Sequence, residues 1–370
     1  IDGFGTSPIY ITIFDKDKYS RLLPKTLKPF IDKASKSKTL IWPPGTKRLK
    51  DISCLFETII EKDSHNEITV KLPEGFTIET DPIHKITHDD LTRRLEYLNG
   101  YQNVHVVPYD FIHYYLLTEN VFSQLKSAIE KEVNKTQLKA VLVSYSLGGN
   151  FARYFINNYS TQEWVSTYIG GVQFGASGIA GAFSAPLYVA NGCLFNHKSM
   201  EAEFIKHSPS SFSMFPNFNI NRPIIKKSYI DSHSRVFKTE YQYPSELFNA
   251  MKRLGKTDQS MELLYSKSLD YLKDPIRDPQ VPTNFIYNSG IPTIGSLHLT
   301  ISDSGIKSET MNEPGDGIIP SSGMEYVIRN WRNVTYHDFK INDIKYDHFR
   351  MRDQSEYAGL TKKFIDKLSL

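Results

Sequence analysis

The chain has 370 residues, of which 40% are hydrophobic and 23% charged. This is the composition of an ordinary globular protein, which excludes extended disorder, collagen and coiled coil. The sequence has 44 Lys and Arg residues against 41 Asp and Glu, and a net charge of +3 is too small for a general nucleic-acid-binding protein. We therefore expect no nucleic acid as a partner. An aromatic content of 13% favours large apolar surfaces such as a lipid-lined cleft.

The cysteines and sequons bear on the compartment. Cys54 and Cys193 permit one disulfide at most, and sequons at Asn134, Asn158 and Asn333 would permit N-glycosylation in a secretory setting. The chain opens on a turn signal with no strand before it, which is typical of a processed or truncated N-terminus. We therefore favour the secretory or endolysosomal pathway and expect a glycoprotein.

The pattern along the chain predicts one α/β core, residues 1–370, with two inserted regions. The first insertion, residues 15–95, contains a basic and aromatic cluster that would suit docking on an anionic lipid surface. Its candidate membrane-binding residues are Trp42, Lys47, Arg48 and Lys50. A solvated loop with one half-buried Trp is the alternative. The second insertion, residues 176–280, carries amphipathic helix candidates and resembles a lid or cap over a lipid site.

Apolar runs outside the insertions predict the elements of the core. The predicted strands are 104–108, 140–143, 168–174, 284–287 and 334–336, and the predicted helices are 119–134 and one near 360–368. Residues 164–196 contain no charged side chain, which raises the question of a membrane span. The Gly, Ser, Gln and Pro scattered among them favour a buried strand and an apolar loop instead.

Ser146 lies where a predicted buried strand meets a predicted helix, in the context of a nucleophile elbow. A serine hydroxyl is a poor nucleophile at neutral pH and needs a nearby base and an exposed position. The residues two before and two after the serine crowd each other and must be small, as Ser144 and Gly148 are. We therefore interpret Ser146 as a candidate catalytic nucleophile.

The chain order serine, acid, histidine directs the search for partners downstream. Asp316 stands between two glycines just before an apolar stretch, and His348 precedes the last predicted helix. An ordinary Asp-Gly turn is the simpler interpretation of Asp316 taken alone. His337 and Asp338 compete, but they lie within a predicted strand, where their side chains would point to opposite faces.

Acyl transfer from an ester also needs two N–H groups that stabilise the oxyanion. The N–H of Leu147 would supply one, and that of Phe4, in the early glycine-rich segment, would supply the other. Sequence motifs for binding nucleotides or metals do not occur. His84 and His88 have the i, i+4 spacing of zinc ligands, but the sequence indicates no third ligand for a zinc site. We expect no cofactor and no metal.

Taken together, these landmarks resemble the lecithin:cholesterol acyltransferase family, which includes lysosomal phospholipase A2 and phospholipid:diacylglycerol acyltransferases. The segments that carry the resemblance follow the family order: Asp2–Gly5, Leu40–Cys54, Val107–Phe111, Ser144–Gly148, Phe174–Ala176, Ser213–Pro216, Gly290–Thr293, Gly315–Gly317 and Asp347–His348. The resemblance extends over nearly the whole chain.

The resemblance implies an α/β-hydrolase fold with a mainly parallel central sheet, a membrane-docking insertion and a lid. It also implies a triad of Ser146, Asp316 and His348, with Phe4 and Leu147 as the oxyanion hole. The implied activity is that of a phospholipase A or lipid acyltransferase, with a phospholipid membrane as partner and water or a lipid alcohol as acyl acceptor. A neutral lipase or carboxylesterase and an inert lipid-binding protein are the alternatives.

Several positions depart from the family pattern. Tyr145 stands for the His of the elbow, and Asp2 stands for the Pro of the early loop. Ile112 replaces an Arg after the Pro-Tyr-Asp motif, and Ser177 with Gly178 replaces Pro-Trp near the site. Cys54 lacks an upstream cysteine, so we expect the family disulfide to be absent.

Overall fold

The structure is a computed structural model that describes residues 9–42, 53–56, 58–64, 67–85, 104–116, 119–191 and 203–368. In these residues the strands are β1 (Ile9–Ile13), β2 (Thr39–Trp42), β3 (Ile59–Lys62), β4 (Ile68–Lys71), β5 (Phe76–Thr80), β6 (His84–Lys85), β7 (His105–Val106), β8 (Ala140–Tyr145), β9 (Ile169–Gly175), β10 (Ile225–Ile230), β11 (Val236–Gln242), β12 (Thr283–Tyr287), β13 (Ile291–Ser302), β14 (Gly305–Gly315) and β15 (Val334–Asp338). The α-helices are α1 (Lys16–Leu22), α2 (Lys28–Ala34), α3 (Glu119–Thr136), α4 (Leu147–Tyr154), α5 (Gln162–Tyr168), α6 (Ser184–Asn191), α7 (Pro209–Ser213), α8 (Leu247–Arg253), α9 (Gln259–Lys273), α10 (Ser321–Asn330) and α11 (Ser355–Asp366). Among the described helices, none has the length and apolar character that crossing a bilayer requires.

A parallel sheet of β8, β9, β12 and β15, in the spatial order β15-β12-β9-β8, forms the centre of the molecule. Parallel neighbours need crossover connections, and α4 and α5 provide the one between β8 and β9. The four strands correspond to the runs predicted at 140–143, 168–174, 284–287 and 334–336. Their carboxyl ends lie at one edge of the sheet, where α/β proteins place their functional groups.

One face of this sheet packs through aromatic rings. Phe174 of β9 stacks on Phe285 of β12, with 5.3 Å between ring centroids, and Trp331 lies against both. All three side chains are buried; Phe174 and Phe285 lie in predicted apolar runs, whereas Trp331 lies outside them.

A row of hydrogen-bonded amides and hydroxyls also crosses the sheet, which the apolar strand patterns do not predict. In this row Gln173, Asn284 and Thr361 are buried and Thr335 is exposed. The Asn284 Nδ2 donates to Gln173 Oε1 at 3.0 Å and the Thr335 hydroxyl donates to Asn284 Oδ1 at 2.9 Å. The Gln173 Nε2 donates to the hydroxyl of Thr361 in α11 at 2.8 Å. Because buried polar groups need partners, this row fixes the register of three strands and of the last helix.

A second sheet has the order β11-β10-β13-β14. β10 is parallel to β13, and β13 and β14 form a long hairpin that leads directly to Asp316. β10 and β11 lie within the predicted insertion 176–280, whereas β13 and β14 follow it along the chain. This sheet therefore crosses the predicted boundary at residue 280.

The predicted strand at 104–108 differs from the structure. Only β7 forms there, and it pairs antiparallel with β6 rather than with the central sheet. The chain turns instead of extending, because the Asp110 carboxylate accepts hydrogen bonds from the N–H groups of Ile112 and His113. The closing helix, predicted near 360–368, begins earlier, at Ser355.

The loops that follow β12 and β15 are tied together by Asn288, a buried residue. Its Nδ2 donates to the carbonyl groups of Ile341 at 2.8 Å and Tyr346 at 3.0 Å, and its Oδ1 accepts from the N–H of Ile341 at 2.9 Å. Gly290 allows the two loops to approach, since a Cβ there would lie 2.3 Å from the backbone carbon of Ile341.

We expect Gly290→Ala to lower the free energy of unfolding by about 2–3 kcal/mol, because backbone cannot move aside as a side chain can. Urea denaturation followed by circular dichroism measures the change. Gly359→Ala is the control: nothing lies within 4 Å of a Cβ at this exposed helical position. At position 359 the alanine should raise the free energy of unfolding by about 0.5–1 kcal/mol, because alanine favours the helix more than glycine does. A Gly290→Ala protein as stable as the parent would contradict the close approach of the two loops.

Candidate active site

Ser146 forms the sharp turn between β8 and α4. Its backbone has φ 53° and ψ −128°, a conformation with positive φ that side-chain-bearing residues rarely adopt. The Ser146 N–H donates to the carbonyl of Gly175 at the end of β9, at 2.8 Å, and the Ser144 hydroxyl donates to the Gln173 carbonyl at 2.6 Å. The turn is therefore held on the neighbouring strand, with Ser146 only partly buried at the sheet edge.

Close packing around the turn explains two further small residues. A Cβ at Gly149 would lie 2.1 Å from the Ser177 hydroxyl, so α4 can rest on the segment after β9 only with glycine there. Ser177 is buried and donates to the carbonyl of Gly175 at 3.0 Å. The position where the resembled family has Pro therefore holds a hydroxyl that bonds to the backbone.

Asp316 lies in a tight turn at the end of β14. Its Oδ1 accepts from the N–H groups of Ile318 at 3.0 Å and Ile319 at 2.7 Å, which leaves Oδ2 for another partner. Gly317 has a φ of 93°, as this turn requires, and its N–H donates to the hydroxyl of Thr293. The carboxylate is 2% exposed, so its orientation is fixed by bonds rather than by solvent.

The structure brings together the three predicted triad residues. The Ser146 Oγ lies 2.8 Å from His348 Nε2, and His348 Nδ1 lies 2.8 Å from Asp316 Oδ2. His348 is 5% exposed, and its N–H donates to the Asp316 carbonyl at 2.9 Å. The competing Asp338 instead accepts from the N–H and hydroxyl of Ser289 at 2.9 and 2.7 Å.

The structure describes only some of the other predicted site residues. The N–H of Leu147 is the first of α4, and such groups have no acceptor within their own helix. Phe4 lies outside the described residues, as do Lys47, Arg48 and Lys50. The backbone of Trp42 ends β2 and pairs with Ile9, the first residue of β1.

Two contacts near the site were not predicted from the sequence. The Tyr145 hydroxyl donates to the carbonyl of His348 at 2.8 Å. In the segment whose Tyr109 and Tyr114 rings pack against Phe151 of α4, the fully buried His113 places its Nδ1 2.6 Å from Asp110 Oδ2. Burial alone would raise the pKa of Asp110, but the charge and hydrogen bond of His113 and the backbone N–H donors hold it below its usual value. The Tyr145 bond spans 203 residues, whereas Asp110 and His113 are only three residues apart along the chain.

The strain at Ser146 predicts a stability difference between two substitutions. We expect Ser146→Gly to unfold with a free energy about 1 kcal/mol higher than Ser146→Ala, because glycine adopts positive φ without a Cβ clash. Both variants lack the hydroxyl, so each is the control for the other. Urea denaturation at one pH gives the comparison, and an alanine variant as stable as the glycine variant would refute the strain.

The chain is similar to several solved structures, all with low sequence identity to it. It is 13% identical to a chain of the Tle4–Tli4 complex, with a TM-score of 0.46 and coverage of 68% of this chain and 67% of that one. An esterase from Exiguobacterium antarcticum gives 10% identity, a TM-score of 0.31 and coverage of 66% and 74%. A soluble variant of monoglyceride lipase from Saccharomyces cerevisiae gives 14% identity, a TM-score of 0.29 and coverage of 67% and 68%.

Sequence comparison gives a sharper result. No curated protein matches the chain, but the family model of lecithin:cholesterol acyltransferase matches residues 35–277, which is more than half of its length. The match includes Ser146 and ends before Asp316 and His348, so the family model itself does not bear on those two residues. The chain therefore belongs to the lecithin:cholesterol acyltransferase family, with an α/β-hydrolase fold and the lipid acyl-hydrolysing or acyl-transferring activity that this family represents.

Proposed function

We propose that the chain is a serine phospholipase A or lipid O-acyltransferase that acts on glycerophospholipids through an acyl-Ser146 intermediate. One observation carries the proposal. Two contacts of 2.8 Å link the Ser146 hydroxyl through His348 to Asp316, at the carboxyl edge of the parallel sheet. Family membership supports an acyl group as the unit transferred.

In this mechanism, His348 Nε2 takes the proton of Ser146 as its Oγ attacks the ester carbonyl. The Asp316 carboxylate holds the imidazole through Nδ1 and stabilises the cation. His348 then gives the proton to the departing lipid alkoxide, and the acyl-Ser146 ester remains. Water, or a lipid alcohol deprotonated by His348, attacks this ester and releases a fatty acid or a new ester. Ser146 recovers its proton in the same step.

The developing oxyanion needs hydrogen-bond donors that are fixed before the reaction. The N–H of Leu147 supports this role, since it opens α4 and lies on the residue after Ser146. The N–H of Phe4 is proposed as the second donor on the family resemblance. Loss of one such donor costs about 2.7–4 kcal/mol of transition-state stabilisation.

A phospholipid membrane is the proposed partner, bound through the first insertion. The described part of this region supports it: between Asp15 and Leu40, eight Lys and Arg residues stand against three Asp. Leu22 and Leu40 are 60% and 48% exposed there, and Phe14, which immediately precedes the region, is 68% exposed. Basic charge together with exposed apolar side chains is the combination that binds anionic lipid surfaces. The proposed contacts remain Trp42, Lys47, Arg48 and Lys50, which follow this stretch in the sequence.

We expect Ser146→Ala to lower the rate of phospholipid ester cleavage by about 10⁴-fold or more, because no other hydroxyl replaces the nucleophile. The assay is product analysis of mixed-chain phosphatidylcholine vesicles with and without added ceramide, sterol or diacylglycerol. Ser166→Ala, an exposed serine on α5, is the control and should keep full activity.

The products separate the possible outcomes of this experiment. Fatty acid alone means a hydrolase, and a new ester means a transferase. Cleavage of neutral glycerides but not of phospholipids would mean a neutral lipase or carboxylesterase. Failure of a fluorophosphonate to label the parent protein, together with no ester cleavage, would mean an inert lipid-binding protein. Full cleavage by Ser146→Ala would end the serine mechanism.

The docking surface is tested by removing its proposed charges. Each basic residue near an anionic membrane contributes about 1 kcal/mol. The triple variant Lys47→Ala, Arg48→Ala and Lys50→Ala should therefore bind phosphatidylserine vesicles about 100-fold more weakly in sedimentation. The control with the same loss of charge is Lys131→Ala, Lys135→Ala and Lys363→Ala, on exposed faces of α3 and α11. Equal loss in both variants would mean a general charge effect rather than a docking surface.

A further inference from the structure

Tyr145 is the last residue of β8 and immediately precedes Ser146. We propose that Tyr145 is a positioning residue, whose hydroxyl holds the backbone of His348 so that the imidazole stays within hydrogen-bond reach of Ser146. The proposal rests on the proposed serine mechanism and deepens it. It assigns a role in rate, distinct from a role in stability, to a side chain that touches no substrate.

The backbone of His348 is held at both of its polar groups. Its N–H donates to the carbonyl of Asp316 at 2.9 Å, and its carbonyl accepts from the Tyr145 hydroxyl at 2.8 Å. His348 itself lies in neither a helix nor a strand. The hydrogen bonds of a helix or strand therefore do not fix its position. The two bonds that do are made with Asp316, the acid, and with Tyr145, the residue before the nucleophile. The base is thus located relative to both of its reaction partners.

The Tyr145 ring is itself immobilised. It belongs to a small buried cluster with Ala176, Ile286, Met351 and Tyr357, separate from the main core. The Tyr357 ring meets it edge to face at 5.8 Å, and the guanidinium of Arg352 lies 5.3 Å from its centroid. A Cβ at Gly175 would come within 2.9 Å of the Tyr145 ring. These contacts fix the Tyr145 hydroxyl in one position, as it must be if it is to position the backbone of His348.

The hydroxyl also stays a donor at any working pH. Burial first, and then the charge of Asp316, raise the pKa of Tyr145 well above its usual value. A carbonyl accepts only from a protonated hydroxyl, so the bond to His348 persists in alkaline assays. Phenylalanine at this position would keep the ring contacts and remove this one donor.

The test is Tyr145→Phe in the full chain, assayed on a soluble p-nitrophenyl ester so that membrane binding plays no part. We expect kcat to fall about tenfold with KM unchanged, since a base displaced by a full 1 Å would cost about 100-fold. The rate of fluorophosphonate labelling should fall equally. Rates are normalised to the folded fraction from near-ultraviolet circular dichroism, so that a partly unfolded variant still yields a value.

Tyr19→Phe is the matched control. The Tyr19 hydroxyl is also buried and donates to a backbone carbonyl, that of Glu74, at 2.8 Å, in the first insertion. Its removal should cost similar stability and leave kcat unchanged. Tyr145→His, which restores the residue of the resembled family and keeps a donor, should recover part of the lost kcat.

Two outcomes would overturn the inference. One is a Tyr145→Phe protein whose normalised kcat stays within twofold of the parent. The other is an equal loss of kcat in Tyr19→Phe, which would mean that lost stability explains the effect. Ser146→Ala, run in parallel, separates this inference from the proposed function. If Ser146→Ala is inactive while Tyr145→Phe is unchanged, only the role of Tyr145 fails; if Ser146→Ala is fully active, the serine mechanism fails first.

Discussion

The positive φ angle at Ser146 is the constraint on which the rest of the site depends. A chain that leaves a parallel strand and enters a helix within one residue must turn through a conformation that costs of order 1–3 kcal/mol when the residue has a side chain. The pairing of β8 with β9, and the N–H of Ser146 on the Gly175 carbonyl, hold the turn in place. Because of this turn, the Ser146 hydroxyl projects from the edge of the sheet, where side chains of other segments can contact it.

The acid and the base, Asp316 and His348, lie on segments outside the strands of the parallel sheet. Asp316 ends a hairpin of the second sheet, and His348 lies in an irregular loop after β15. Asn288 joins that loop to the one after β12, and Tyr145 joins it to the nucleophile. Side-chain hydrogen bonds to backbone thus supply the positional accuracy that helices and strands provide elsewhere in the molecule.

How far the sequence predicts this molecule depends on how local each signal is. β9 and β12 were predictable because both of their faces are buried, which leaves largely apolar segments such as residues 168–174. The same logic identified Ser146, Asp316 and His348 as candidates, since each lies beside a turn or an element end. β14 was not predicted from the sequence because nine of its eleven residues, those from Gly305 to Asn312 and Pro314, are exposed and show no apolar-polar alternation. The Tyr145 bond escaped because its partner lies 203 residues away.

The hairpin that carries Asp316 also has a bearing on solubility. Among the strands that the structure describes, β14 is an edge strand of its sheet. A long exposed edge strand is a template to which a second chain can pair and begin an aggregate. Lys307 and Glu309, which pair at 2.9 Å, place charge along this strand, and Pro314 removes one donor near its end. Charge and proline are the means by which natural sheets discourage such addition. The segment that delivers the acid is thereby protected against self-association.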